Sequence, residues 1–231
     1  MARGTTLSAL RDMLRAEIGA SSNVAMGINT QDQYDHVLRR TQARLWADHD
    51  WPFGFVERDE ALQKDERYYA FDNEIDYDRI SAANVRFGDI WYPMEYGITP
   101  EHFNSFNSDN GDTSAPAMRW QHYEGNQFEV WPIPSEAGQS LRFRAIKKLP
   151  VLLSPSDVAV LDDNLIVLFA AAELLARSKA ADAPAKLAQA TSHYNKLRGN
   201  SNKNDRFIFG GGVHTGDNLR NIGGRFVRDD R

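Results

Sequence analysis

RLWADHDWPF, residues 44–53, is where this chain changes character. Before it, apolar residues recur at helical spacing. After it, they alternate as in strands. A helix is expected from about Thr30 to Ala47, with Tyr34, Leu38, Thr41 and Leu45 at 4-3-4 spacing and Val37 beside them. Asp35, Arg39, Arg40 and Arg44 fall largely off that stripe, and Pro52 stops the helix. The stretch also holds Asp48, His49 and Asp50 between two tryptophans. It is therefore either a reactive cluster or the buried end of a helix. Neighbouring carboxylates on a helix point in different directions, so the doublet alone is poor evidence of a site. We read Asp48, His49 and Asp50 as a solvated helix end. Trp46, Trp51 and Phe53 are read as the junction between a helical bundle and a β-lobe. The alternatives are a small-molecule site or a metal-dependent hydrolase built on Asp48, His49 and Asp50.

Upstream lies one more helix. Thr5 or Thr6 can cap it, Leu7, Leu10 and Leu14 form its stripe, and Gly19 can end it. ASSNVAMGIN (20–29) follows as a loop. Downstream, from about 55 to 150, the pattern is strand-like. DRISAANVRFGDIWYPMEYGI (78–98) reads as two strands around Gly88-Asp89. MRWQHYEGNQFEVWPIP (118–134) reads as a hairpin turning near Glu124-Gly125-Asn126. SLRFRAIKKL (140–149) alternates Leu141, Phe143 and Ala145 with Arg142, Arg144 and Ile146. FNSFNSDNGDTSAPA (103–117) reads as a mobile surface loop.

Helices return after 155. Ser156 can cap a short turn. DDNLIVLFAAAELLARSKA (162–180) carries the strongest stripe, Leu161, Leu165, Leu168, Ala172 and Leu175. Asp162-Asp163 suits its N-terminus, where a carboxylate meets free N–H groups. A last helix over about 183–198 shows Leu187, Ala190, Tyr194 and Leu197. The expected fold class is thus α+β. An antiparallel helical bundle from the N- and C-terminal thirds (1–54 and 158–200) carries an inserted antiparallel β-lobe (55–157). An extended C-terminal arm (201–231) follows. That arm is Gly-rich and aperiodic, yet it carries Phe207, Ile208, Phe209, Val213 and Phe226, more anchors than a linker needs.

Composition removes several chemistries. The chain has no cysteine, which excludes disulfides, thiolate catalysis and cysteine-bound zinc. No nucleotide loop, nucleophile elbow or H-E-x-x-H pair is present, and the six histidines show no ligand spacing. No metal and no cofactor are expected. The start, MARGTTLSALRDMLRAEIG, lacks a signal-peptide core, and no apolar run could span a bilayer. No membrane partner is expected, and the default is a soluble protein of the cytoplasm. Net charge is −5, with a tail over 200–231 of +2, which leaves −7 on the rest. Arg142, Arg144, Lys147 and Lys148 could meet phosphate, but they are too few to signal specific nucleic-acid binding. They are expected to form an intersubunit or lumen charge patch.

The segment from Phe128 to Leu197 resembles head-to-tail adaptor proteins of tailed bacteriophages, the tail tubular protein A type of podophages. The resemblance rests on a hairpin ending in Pro132 and Pro134, and on a basic strand leading to Leu149-Pro150. A Leu-Ser-Pro-x-Asp turn over Leu153–Asp157 and an Ala-rich helix with a following helix complete it. LRRTQARLWADHDWPF (38–53) is similar to the family's second helix. The resemblance implies a structural virion protein and not an enzyme. It implies a dodecameric ring beneath the portal protein, extending the channel for genomic DNA and docking the tail nozzle protein. The expected location is the virion, after assembly in the host cytoplasm. The arm residues would then contact the portal or a neighbouring subunit. A negative body suits a lumen through which DNA slides without sticking. A head-completion or tail-terminator protein would share this order of elements.

Overall fold

The computed structural model describes residues 3–20 and 30–201. Residues 21–29 of the expected first loop and 202–231 of the expected arm lie outside the described residues. The chain is mixed α and β and divides into two units. One draws on Met1–Gln42 and Leu152–Arg231, the other is Ala43–Val151.

Four α-helices are described. In α1 (Leu7–Glu17) the Thr6 side chain caps Ala9 N–H, and Leu7, Leu10 and Leu14 are buried, as their spacing predicts. The second helix, α2 (Gln31–Ala47), begins in the first unit, and its last turn, from Ala43, belongs to the second. It buries Val37, Leu38, Thr41 and Leu45. Asp35, expected off the stripe, is buried as well, because Arg11 of α1 grips both carboxylate oxygens at 2.7–2.9 Å.

The next helix, α3 (Asp163–Arg177), buries Leu165, Ile166, Val167, Leu168 and Ala170 to Ala172. A helix apolar on most sides belongs inside a core, and α1 and α4 (Ala183–Ser201) pack against it. Asp162 caps α3 through Leu165 N–H at 3.1 Å and also holds His193 Nε2 of α4 at 2.8 Å. Asp163 accepts from the Thr5 hydroxyl. On α4 the buried row is Ala183, Ala190 and Leu197. Leu187, expected on that row, is exposed, while Lys186 beside it is half-buried and pairs with Glu17 of α1. The turn before α3 is organised by Asp157, not Ser156: its carboxylate accepts Leu153 and Ser154 N–H, each at 2.7 Å.

The second unit is built on ten short strands. They are β1 (Phe55–Leu62), β2 (Tyr68–Ala70), β3 (Ile75–Phe87), β4 (Ile90–Pro93) and β5 (Glu95–Tyr96). β6 (Thr113–Ser114), β7 (Arg119–His122), β8 (Gln127–Trp131), β9 (Ile133–Pro134) and β10 (Gln139–Lys147) follow. One sheet has the order β1-β10-β3-β4, another β2-β8-β7-β5, and β6 pairs with β9. The two expected hairpins are present, β3–β4 and β7–β8. Gly88 at φ +61° and Gly125 at φ +58° lie in their turns, where a side chain would be strained. The lobe is not wholly antiparallel as expected: β5 and β7, and β6 and β9, pair in parallel. After Met94 the chain passes from the edge of the first sheet to the edge of the second, which sets the direction of β5.

Both large sheets feed one core. Leu62, Val85, Leu141, Phe143 and Ala145 enter from the first, Tyr69, Trp120, Phe128 and Val130 from the second. Ile146, expected on the outer row of β10, is buried. It stays on that row, its register against β1 running unbroken opposite Phe55, and it is covered from the Gly54 side, its Cγ2 3.7 Å from where a Cβ on Gly54 would stand. The segment 103–117 is more built than a loose loop. Trp131 Nε1 donates to Phe106 O at 2.9 Å, Asn107 caps Asp109 N–H, and Ser108 is buried.

The Tyr69 hydroxyl sits among Gln63 N–H, Gln63 O and Glu66 O at 3.0–3.1 Å. Burial pushes this phenol up to about 12. An unfolded tyrosine ionises near 10. The folded state thus holds the proton more tightly, and the contribution is complete below about pH 10. It is lost as pH rises through about 10 toward about 12. Tyr69→Phe is expected to flatten the alkaline fall in stability over that window, read from urea midpoints at stepped pH. An unchanged slope would place the alkaline transition elsewhere.

Candidate functional site

The stretch 44–53 closes on itself. Trp46 and Trp51 are buried, and Phe53 lies 5.9 and 6.0 Å from their rings. Trp51 Nε1 donates to Leu45 O at 3.0 Å, and the His49 ring meets Trp51 edge-on at 4.9 Å. A Cβ on Gly54 would stand 2.9 Å from Cη2 of Trp46, so only glycine lets the chain pass this indole. One of the two aspartates of the stretch, Asp50, is engaged as well. Arg79, from the bulged part of β3, donates to Trp46 O at 2.9 Å and His49 O at 3.0 Å, and pairs with Asp50. A cation on the last carbonyls of a helix satisfies orphan acceptors and faces the negative end of the dipole. Arg79 is not legible from sequence, because its partners lie about thirty residues away on another element.

Arg79→Ala is therefore expected to cost about 2 kcal/mol, the loss of charged hydrogen bonds to buried carbonyls. Asp50→Ala should cost under about 1 kcal/mol, since the Asp50 carboxylate is exposed. Urea titration of both variants checks this ranking. Equal losses would mean that the ion pair, not the carbonyl clamp, carries the effect.

The expected basic patch is divided among its neighbours. Asp59 on β1 grips Arg142 with both oxygens at 2.6 and 2.7 Å, and Trp91 lies 4.6 Å beneath its guanidinium. This pairing holds the Asp59 carboxyl below its ordinary range. Arg144 stands over the Phe55 ring at 4.9 Å and Lys148 over Tyr77 at 5.3 Å, while Lys147 is exposed at the strand end. Cross-strand register places Glu57 opposite Arg144 and Asp59 opposite Arg142. The face is a mixed-charge surface. Among the described residues no group of three or more His, Asp or Glu is placed to hold a metal, and no helix is long and apolar enough to cross a membrane.

Exposed apolar side chains gather on the β-unit. Ile90, Trp91 and Tyr92 are consecutive on the edge strand β4, and Tyr96 and Met118 follow nearby on β5 and before β7. Beside them is a cleft of about 560 Å³ lined by Tyr77, Asp78, Ile80, Tyr96, Trp120 and His122 among others. Leu153 and Val158 stand exposed on the other unit. Apolar groups held out on rigid elements mark contact surfaces. The arm anchors Phe207, Ile208, Phe209, Val213 and Phe226 lie outside the described residues.

An α+β chain with a mixed-charge sheet face and an apolar sheet edge has the surfaces of a subunit made to contact other proteins. The family model of the SU10 adaptor protein matches residues 5–207. The chain belongs to that family, a phage head-to-tail adaptor and thus a structural component of the virion. No curated protein sequence matches the chain.

Proposed function

We propose that this adaptor assembles as a dodecameric ring beneath the portal, extends the DNA channel and docks the tail nozzle. The carrying observation is the length of the family match, which runs through both units from Thr5 to Phe207. In this reading 1–54 and 158–200 form an antiparallel helical bundle, 55–157 the β-lobe and 201–231 the arm. Trp46, Trp51 and Phe53 lock the helix end to the first strand. Phe207, Ile208, Phe209, Val213 and Phe226 contact the portal or a neighbouring copy. Arg142, Arg144, Lys147 and Lys148 serve an intersubunit or lumen face. The paired state of Arg142 supports the intersubunit choice, because a neutralised guanidinium has little hold on passing phosphate. The role needs no catalysis, and assembly takes place in the host cytoplasm.

The test is the mass of the full chain, alone and mixed with its portal, by light scattering with electron micrographs of large species. Rings, or a portal complex of defined size, are expected. A monomer that ignores the portal overturns the proposal.

A further inference from the structure

Strand β3 is longer than its neighbour. It runs over thirteen residues, Ile75–Phe87, and pairs with β10 along most of its length. On the other side β4 covers only Asn84 to Phe87. Met94 N–H then donates to Ala83 O at 2.9 Å, and the chain leaves for the second sheet. Among the described residues no strand pairs with Tyr77–Ala82 on that side. The 560 Å³ cleft lies along this overhang, lined by the Tyr77–Ala83 side of β3 on one hand and by Met94, Tyr96, Trp120 and His122 on the other. Ser81 and Ala82 are exposed and small, so a second backbone can come close. Tyr96 projects at the rim, 66% exposed, edge-on to Trp120 at 4.9 Å. An open strand edge beside an aromatic slot is the geometry by which an extended peptide is captured, with main-chain bonds for affinity and pockets for alternate side chains.

We propose that this slot receives Arg206–Phe209 of a second copy of the chain, added as a strand beside β3 with a phenylalanine in the cleft. The proposal rests on the ring reading above. Three observations favour this occupant. Thirty residues follow Ser201, and Phe207-Ile208-Phe209 is their one run of three bulky apolar residues, of types that suit a strand, closed by Gly210. The family match runs past the last described helix to Phe207. Among the residues lining the cleft Asp78 is the one carboxylate and there is no lysine or arginine, which suits the Arg206 that leads the run.

The absence of cysteine makes the test clean. Full chains carrying Ala82→Cys and Ile208→Cys singly are co-expressed, sized by light scattering and treated with a short bis-maleimide. Crosslinked dimers of the two variants should exceed those of a control pair, Glu57→Cys with Ile208→Cys, by about tenfold or more, because docking raises the local concentration. Large assemblies without the crosslink overturn this docking and leave the ring reading standing. A monomer without crosslinks overturns both. A link formed within one chain carrying both cysteines, in place of the link between copies, also overturns it. Blocking of Ala82→Cys only when portal is added would assign the slot to the portal and overturn it too.

Discussion

Arg67→Ala is expected to destabilise the β-unit by about 3–5 kcal/mol, the usual cost of stranding a buried charge. Glu129 sits on β8 with only 3% of its side chain exposed. Arg67 Nε meets its Oε1 at 2.7 Å, and Gln121 Nε2 meets Oε2 at 3.0 Å. Burial opposes the charge on Arg67, but its bonds to Asp109 and Glu129 outweigh burial and hold the guanidinium firmly protonated. Asp109 is mostly exposed and contributes little by itself. The guanidinium also covers the Tyr68 and Phe103 rings at 5.1 and 5.7 Å, so truncation removes packing as well. The measurement is a urea titration of wild type, Arg67→Ala, Glu129→Gln and the double variant. The double variant should recover much of the loss, because no unpaired carboxylate is left inside. A loss under about 1 kcal/mol for Arg67→Ala would show that water reaches Glu129 and that the pair is not a buried one.

The same pair shows where reading from sequence stops. The stripes of α1, α2 and the first turns of α3 are periodic, and period is a local property, so Leu7, Leu38 and Leu165 are legible in the sequence. The hairpins turn at Gly88 and Gly125 because a tight turn wants a left-handed residue, which is also local. Arg67, Asp109 and Glu129 lie on three separated segments, and only tertiary register brings them together. Arg79 reaches the end of α2 only because β3 bulges there. The parallel pairs β5/β7 and β6/β9 follow from a crossover that two-residue strands cannot announce. Ile146 keeps its outer row and is buried there because the chain at Gly54 covers it, a contact that the period of two does not announce. For the candidate site, the spacing marked Trp46, Trp51 and Phe53 as structural. It could not mark the slot beside β3, which is defined by the absence of a pairing strand among the described residues.

Phe128→Ala should cost about 3–5 kcal/mol, the range for emptying an aromatic position in a closed core. The residue is fully buried on β8, where the two sheets face one another. Phe71, Phe143 and Tyr69 surround it at centroid distances of 4.8, 5.0 and 5.5 Å. Phe143 meets it edge-on and Tyr69 stacks on it, both favourable ring geometries. Truncation would remove three ring contacts and leave a void between sheets that are tied by backbone ladders. Strands cannot slide to fill such a void without breaking their register, so relaxation is limited. Phe128→Leu keeps most of the volume and should cost about half as much. Trp120 lies 4.9 Å from Phe143 in the same cluster and reports the change through its fluorescence during urea titration. If Phe128→Ala and Phe128→Leu cost the same, the sheets close the gap freely. The stiffness that lets this unit hold an open edge ready for a partner strand would then have to come from outside its core.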